Sequence, residues 1–174
     1  MKIDFHDFNK FPTIYYSIDV NWRYLQDWVD QQMEIGCGKP LDVNPEFQRG
    51  HVWTKKQKIA YIEFCISGGS SGQNLYFNHP GWMSDYEGDF VLVDGLQRIS
   101  AVLDFMQDKI KAFGHKYSES TGKLPDSCKL KINIAKLKSK KDVMQWYINM
   151  NAGGTPHAKK EIQRVQGLMN EVMS

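Results

Sequence analysis

The segment Val91-Leu92-Val93-Asp94-Gly95-Leu96-Gln97-Arg98 sets a carboxylate, a glycine and a guanidinium close together, directly behind the apolar run from Phe90 to Val93. A buried strand would deliver Asp94 at its carboxyl end, and Gly95 would permit a tight turn. Ile99, Val102, Leu103 and Met106 then recur at the spacing of a helix that begins at once. The first N–H groups of a helix have no intrahelical partner, so its N-terminus attracts an anion. Arg98, in the first turn, can aim its planar fork at the same anion, a geometry suited to phosphate. A carboxylate beside a phosphate is repelled unless a cation lies between them, which makes Asp94 a candidate Mg²⁺ ligand. A purely structural alternative has Asp94 capping the helix and Arg98 pairing with it, and the pattern alone leaves both open.

A second cluster, Asn44-Pro45-Glu46-Phe47-Gln48-Arg49-Gly50-His51-Val52-Trp53, reads as a loop in front of a helix capped by Thr54. A loop that gathers a carboxylate, an amide, a guanidinium, an imidazole and an indole suggests a binding surface. Trp53 serves equally well as a hydrophobic staple for the following helix. His51 has no His or Cys two to five residues on, so it is not read as a metal ligand. Cys65 falls in a helix body and reads as inert packing.

These groups need a scaffold, and the periodicities supply one. Tyr15 to Val20 alternates as a strand. Trp22, Leu25, Val29 and Met33 mark a helix over 21–35, with Asn21 as N-cap and Gly36 as its stop. Gly36 to Pro45 is a loop. Ile59, Ile62 and Ile66 mark a second helix, ended by the Ser67-Gly68-Gly69-Ser70-Ser71-Gly72 tract. Leu75 to Phe77 and Phe90 to Val93 are short strands, and Lys129 to Ile134 alternates as a half-exposed one. Two more helices fit 140–149 and 157–172, joined by Asn151-Ala152-Gly153-Gly154-Thr155-Pro156. The expectation is one α+β domain over residues 1–174, a small mixed sheet flanked by helices with a helical C-terminal part.

Composition narrows the class of function. The chain has 174 residues, 41% hydrophobic and 24% charged, which excludes fibrous and wholly disordered proteins. No apolar run is long enough to span a membrane, and Lys2, Asp4 and Asp7 leave no signal core. Cys37, Cys65 and Cys128 stand at unrelated spacings and form neither a disulfide framework nor a metal motif, which fits a reducing compartment and a cytoplasmic location. The net charge of +2 hides an asymmetry: residues 109–141 carry 10 Lys and no Arg against 2 acidic residues. Lys129, Lys131, Lys136, Lys138, Lys140 and Lys141 are candidate DNA-binding residues, because flexible point charges suit phosphate contact without base readout. A solvated surface explains the same lysines equally well.

Taken in order, the motifs resemble the DUF262 family, whose N-terminal domain has the ParB/sulfiredoxin-like fold and which includes modification-dependent restriction subunits of the GmrSD type. Pro45 to Trp53 is similar to the family's P-x-x-Q-R-x-x-V-W segment, and Asp94-Gly95-Leu96-Gln97-Arg98 to its D-G-Q-Q-R signature. Asn151 to Pro156 is similar to its L-N-x-G-G-T-P turn, followed by a helix with Glu161. The likeness covers about residues 40–165. Leu96 replaces the first Gln, while His51 and His157 stand where an aromatic and an aliphatic residue are common.

The resemblance implies a nucleoside triphosphate as ligand or substrate, with Mg²⁺ on Asp94, in a process of DNA restriction or modification. By position, the resemblance makes Asp94, Gln97 and Arg98 the catalytic set, and Gln48, Arg49, Gly95, Arg98, Trp53, Asn151 and Thr155 would bind the nucleotide. Many relatives carry a following HNH nuclease domain, which the sequence up to Ser174 does not contain. Cleavage would then come from the domain itself or from a separate nuclease or other protein subunit. Two functions remain open: a Mg²⁺-dependent NTPase, nuclease or phosphotransferase, and a non-catalytic module that keeps the fold to bind DNA or protein, as an inhibitor or accessory subunit does.

Overall fold

The computed structural model describes residues 9–34, 40–48, 50, 52–152 and 159–172. Its strands are β1 (Ile14–Asn21), β2 (Asn74–Asn78), β3 (Val91–Asp94) and β4 (Lys129–Ala135). The α-helices are α1 (Leu25–Glu34), α2 (Lys55–Ile66), α3 (Leu96–Met106), α4 (Lys140–Ala152) and α5 (Lys159–Glu171). The strands form one mixed sheet in the order β1-β4-β2-β3. β1 runs antiparallel to β4 and β3 antiparallel to β2, while β2 and β4 are parallel.

Alternate residues of a strand face opposite sides of a sheet. Leu75, Phe77, Leu92, Leu130, Ile132 and Ile134 therefore enter a core closed by Trp22, Leu25, Ile62, Ile99 and Val102 from the first three helices and the turn before them. Tyr76, Val93 and Ala135 face the other way and meet Phe47, Met144, Tyr147 and Val165, so α4 and α5 cover this side. Each fully buried aliphatic side chain contributes about 1.5–3 kcal/mol relative to exposure. On α3, Leu96, Ile99, Val102 and Phe105 are all buried. That stripe fixes the helix on the sheet, and with it the direction in which Arg98 leaves the first turn.

The elements follow the periodicities, with local differences. Asn21 accepts a hydrogen bond from the Arg23 N–H, but what it opens is a 3-10 turn, Trp22–Tyr24, before α1 begins at Leu25. Gly36 lies outside the described residues. Thr54 caps α2 in a reciprocal capping box with Gln57. β4 is an interior strand rather than a half-exposed one: of its polar positions Lys131 is exposed, but Asn133 is only 6% exposed and bonds Ser17, Asn74 and the Leu75 carbonyl. Alternation reveals the two faces of a strand and not what covers them. α4 runs on through Ala152, so Asn151 belongs to a helix end instead of a turn. Among the described residues, no helix is long and apolar enough to cross a membrane.

Candidate functional site

Asp94 ends β3, Gly95 turns the chain, and α3 begins at Leu96. Gly95 has φ +119°, and a Cβ there would lie 2.3 Å from Leu75 Cδ2 and 3.4 Å from the Leu75 Cα, so the turn demands glycine on conformational and steric grounds. The Arg98 and Ile99 N–H groups both bond the Gly95 carbonyl at 3.0 Å. No side chain caps α3, which leaves the Leu96 and Gln97 N–H groups open at the helix start.

Asp94 is therefore not the cap of α3. It pairs instead with Arg98, four residues on, whose Nη2 donates to Asp94 Oδ2 at 2.5 Å. The two side chains are 34% and 21% exposed. A pair this open to water is worth about 0–1 kcal/mol. Such a contact orients the guanidinium without locking it, so an incoming anion can take its place.

Gln48, Trp53, Asp94, Gly95, Leu96, Gln97, Arg98, Tyr147 and Asn151 line a cleft of about 190 Å³. Gln97 Oε1 accepts from the Val52 and Trp53 N–H groups at 3.1 and 3.0 Å, and its Nε2 donates to the Gly50 carbonyl at 3.1 Å. Gln48 Nε2 donates to the Leu92 carbonyl of β3 at 2.5 Å. Trp53 packs its ring on Tyr61 at 5.5 Å. The Tyr61 hydroxyl donates to the Gly72 carbonyl at 3.0 Å, and burial pushes its pKa well above the usual phenol value, so it stays protonated and offers no base. Asn151 donates to the Tyr147 carbonyl at 2.7 Å. Arg49, His51 and Thr155 lie outside the described residues.

The sequence reading missed Tyr147 and Arg164. Tyr147 meets Phe47 ring to ring at 5.5 Å. Arg164 of α5 donates from both terminal nitrogens to consecutive carbonyls, Glu46 at 2.7 Å and Phe47 at 2.9 Å. Both reach the motif loop from helices nearly a hundred residues or more downstream, a closeness no local pattern encodes.

The family model described as GmrSD restriction endonuclease, N-terminal domain, matches residues 25–166. The chain belongs to that family. The matched stretch of this GmrSD-type domain runs from α1 into α5 and includes every residue that lines the cleft, together with Arg164. No curated protein and no solved structure matches the chain.

In this GmrSD-type domain the six candidate lysines sit on different elements, and several already hold a partner. Lys129 and Lys131 lie at the start of β4, where Lys129 pairs with Asp19 at 2.7 Å. Lys136, beyond the strand's end, sits 5.4 Å from the Tyr15 ring centre. Lys138 donates to the Pro80 carbonyl at 2.6 Å, and Lys140 pairs with Glu46. Those last two line a separate cleft of about 730 Å³ with Asp42, Glu46, Phe90 and Val143. Lys141 is exposed in the first turn of α4. Cys65 and Cys128 are buried thiols, and burial pushes the Cys128 pKa up to about 11. Both are protonated packing groups rather than nucleophiles.

Proposed function

We propose that this restriction-endonuclease N-terminal domain binds the phosphates of a nucleoside triphosphate in the Asp94–Arg98 cleft and hydrolyses it in the service of DNA restriction. One observation carries the reading: the uncapped start of α3 and the Arg98 guanidinium converge on one small cleft at the end of β3. Open helix N–H groups and a guanidinium both complement an anion, and their combination suits phosphate. At about 190 Å³ the cleft falls below the 300–1,000 Å³ of sites that enclose a drug-sized ligand. A phosphate group would enter while the rest of the nucleotide lies outside.

The residues fit Mg²⁺ in a limited way. Among the described residues no group of three or more His, Cys, Asp or Glu forms a dedicated cage. Mg²⁺ commonly takes one or two carboxylates and completes its shell with phosphate and water, and Asp94, one-third exposed at the cleft, supplies one such carboxylate. When bound, the ion would neutralise phosphate charge and polarise the bond to be broken. Arg98 would leave Asp94 for the phosphate, so each member of the present pair gains a stronger partner. The α3 N–H groups would hold phosphate oxygens, and Trp53 would offer an aromatic wall.

The test is a thermal-shift series with ATP, GTP, CTP and UTP, each with Mg²⁺. A ligand at a hundred times its Kd stabilises the folded state by about 2.7 kcal/mol. Arg98→Ala should remove about 1.5–3 kcal/mol of binding, on the order of tenfold or more in affinity. Asp94→Asn should keep the fold and lose turnover. Absence of any shift with all four nucleotides would refute the reading, and a shift without phosphate release would favour a non-catalytic binding module.

A further inference from the structure

We infer that Gln97 is a positioning residue of this cleft, whose carboxamide fixes the backbone at Gly50, Val52 and Trp53 and so sets Trp53 as part of the cleft's wall; the inference rests on the phosphate-site reading above. A carboxamide offers one oxygen with two lone pairs and one nitrogen with two hydrogens. Here both lone pairs are taken by the Val52 and Trp53 N–H groups, and the nitrogen donates to the Gly50 carbonyl. The acceptor that could orient a water or grip a hydroxyl is thus already filled. Gln97 is a poor candidate for chemistry and a good one for architecture.

The wall needs this support. Between Asp42 and α2 the described residues form no strand or helix, so beyond turn contacts such as the Gln48 N–H to the Pro45 carbonyl, backbone groups there depend on side-chain partners or water. Val52 has a half-exposed side chain and contributes little anchoring of its own. Gln97 supplies the missing partners from the first turn of α3, which its buried stripe holds rigid. Upstream, Gln48 ties the same segment to Leu92 of β3, and Arg164 grips the carbonyls of Glu46 and Phe47. In the Gln97-Arg98 pair the amide holds the chain while the guanidinium faces the cleft. Trp53 is placed as cleft wall by the hydrogen bond that its own N–H makes to Gln97.

Two substitutions separate positioning from direct contact. Gln97→Met keeps the length and removes all three hydrogen bonds, whereas Gln97→Glu keeps the two acceptor contacts. Hydrogen exchange at the Val52 and Trp53 amides is read alongside affinity for ATP, GTP, CTP and UTP with Mg²⁺. For Gln97→Met, faster exchange at both amides together with affinity weakened about tenfold is expected, since a small misplacement of a binding group is enough for a loss of that size. Gln97→Glu should retain protection at the Val52 and Trp53 amides, while its added negative charge lowers affinity for the anionic nucleotide, so a loss of binding without a loss of protection is expected of this variant alone. The inference is overturned if Gln97→Met weakens binding while both amides stay protected, which marks a direct ligand contact. It is equally overturned if the amides exchange faster but folded protein binds as wild type does, which marks a role in stability alone. No nucleotide binding by wild type sinks the phosphate reading and this inference together, whereas the preceding outcomes leave that reading intact.

Discussion

Gly95 shows how one residue can be required by the backbone rather than by chemistry. Its φ of +119° is open to glycine and strained for other residues, and Leu75 occupies the space a Cβ would need. Gly95→Ala should therefore cost the strain of about 1–3 kcal/mol plus whatever movement Leu75 must make. Chemical denaturation measures the sum, and a loss under 0.5 kcal/mol, roughly the scatter of surface substitutions, would show that the turn relaxes freely. Asp94 and Arg98 differ in kind. Their pairing is only half-buried, so their substitution should be felt in ligand binding more than in stability.

At the scale of elements, the cleft depends on α2 and α3 staying in register. Lys58 of α2 reaches Asp104 at 2.6 Å and Ser100 at 2.7 Å on α3, with its side chain only 13% exposed. Asp104→Ala would leave that ammonium with the Ser100 hydroxyl alone, and removing one partner of a buried pair costs about 3–5 kcal/mol. Asp104 itself is a quarter exposed, so a loss nearer 2 kcal/mol is expected, accompanied by a lower affinity at the cleft as α3 shifts. The thermal midpoint checks the first part and nucleotide titration the second. A fully stable variant would show that apolar packing alone sets the helix pair. α5 grips the loop just upstream of Gln48 through Arg164, which holds the carbonyls of Glu46 and Phe47, two residues that line the larger cleft.

Over the whole molecule, charge is uneven and the structure divides it further. The lysine block is spread along β4, beyond its end and into the larger cleft, and at least three of its members already hold a partner in their own chain. Lys129 and Lys131 share the polar face of β4, opposite Leu130 and Ile132. Changing both to Gln should expose nothing apolar, place no new charge against Asp19 and leave the fold standing. If that face tracks duplex DNA, the log-log salt slope of binding should fall by about 2, at roughly 0.9 per phosphate neutralised, with sequence preference unchanged. A folded double variant with wild-type affinity and slope would show that these lysines only solvate the sheet.

Much of the architecture is local in origin and could be read from the chain. The apolar run before Asp94, the Gly95 turn and the spacing of Ile99, Val102 and Met106 determine a strand, a turn and a helix within one short stretch, because each depends on residues a few positions apart. Thr54 and Gln57 likewise announce the start of α2. The order of motifs suffices for the family. What the sequence could not determine is who satisfies whom across long separations. That Gln97 binds the backbone of Trp53 and that Arg164 reaches the Phe47 carbonyl are outcomes of packing two helical layers on one sheet. Side-chain type fixes how many hydrogen bonds a glutamine or arginine can make, and tertiary structure alone decides which groups come within 3 Å to receive them.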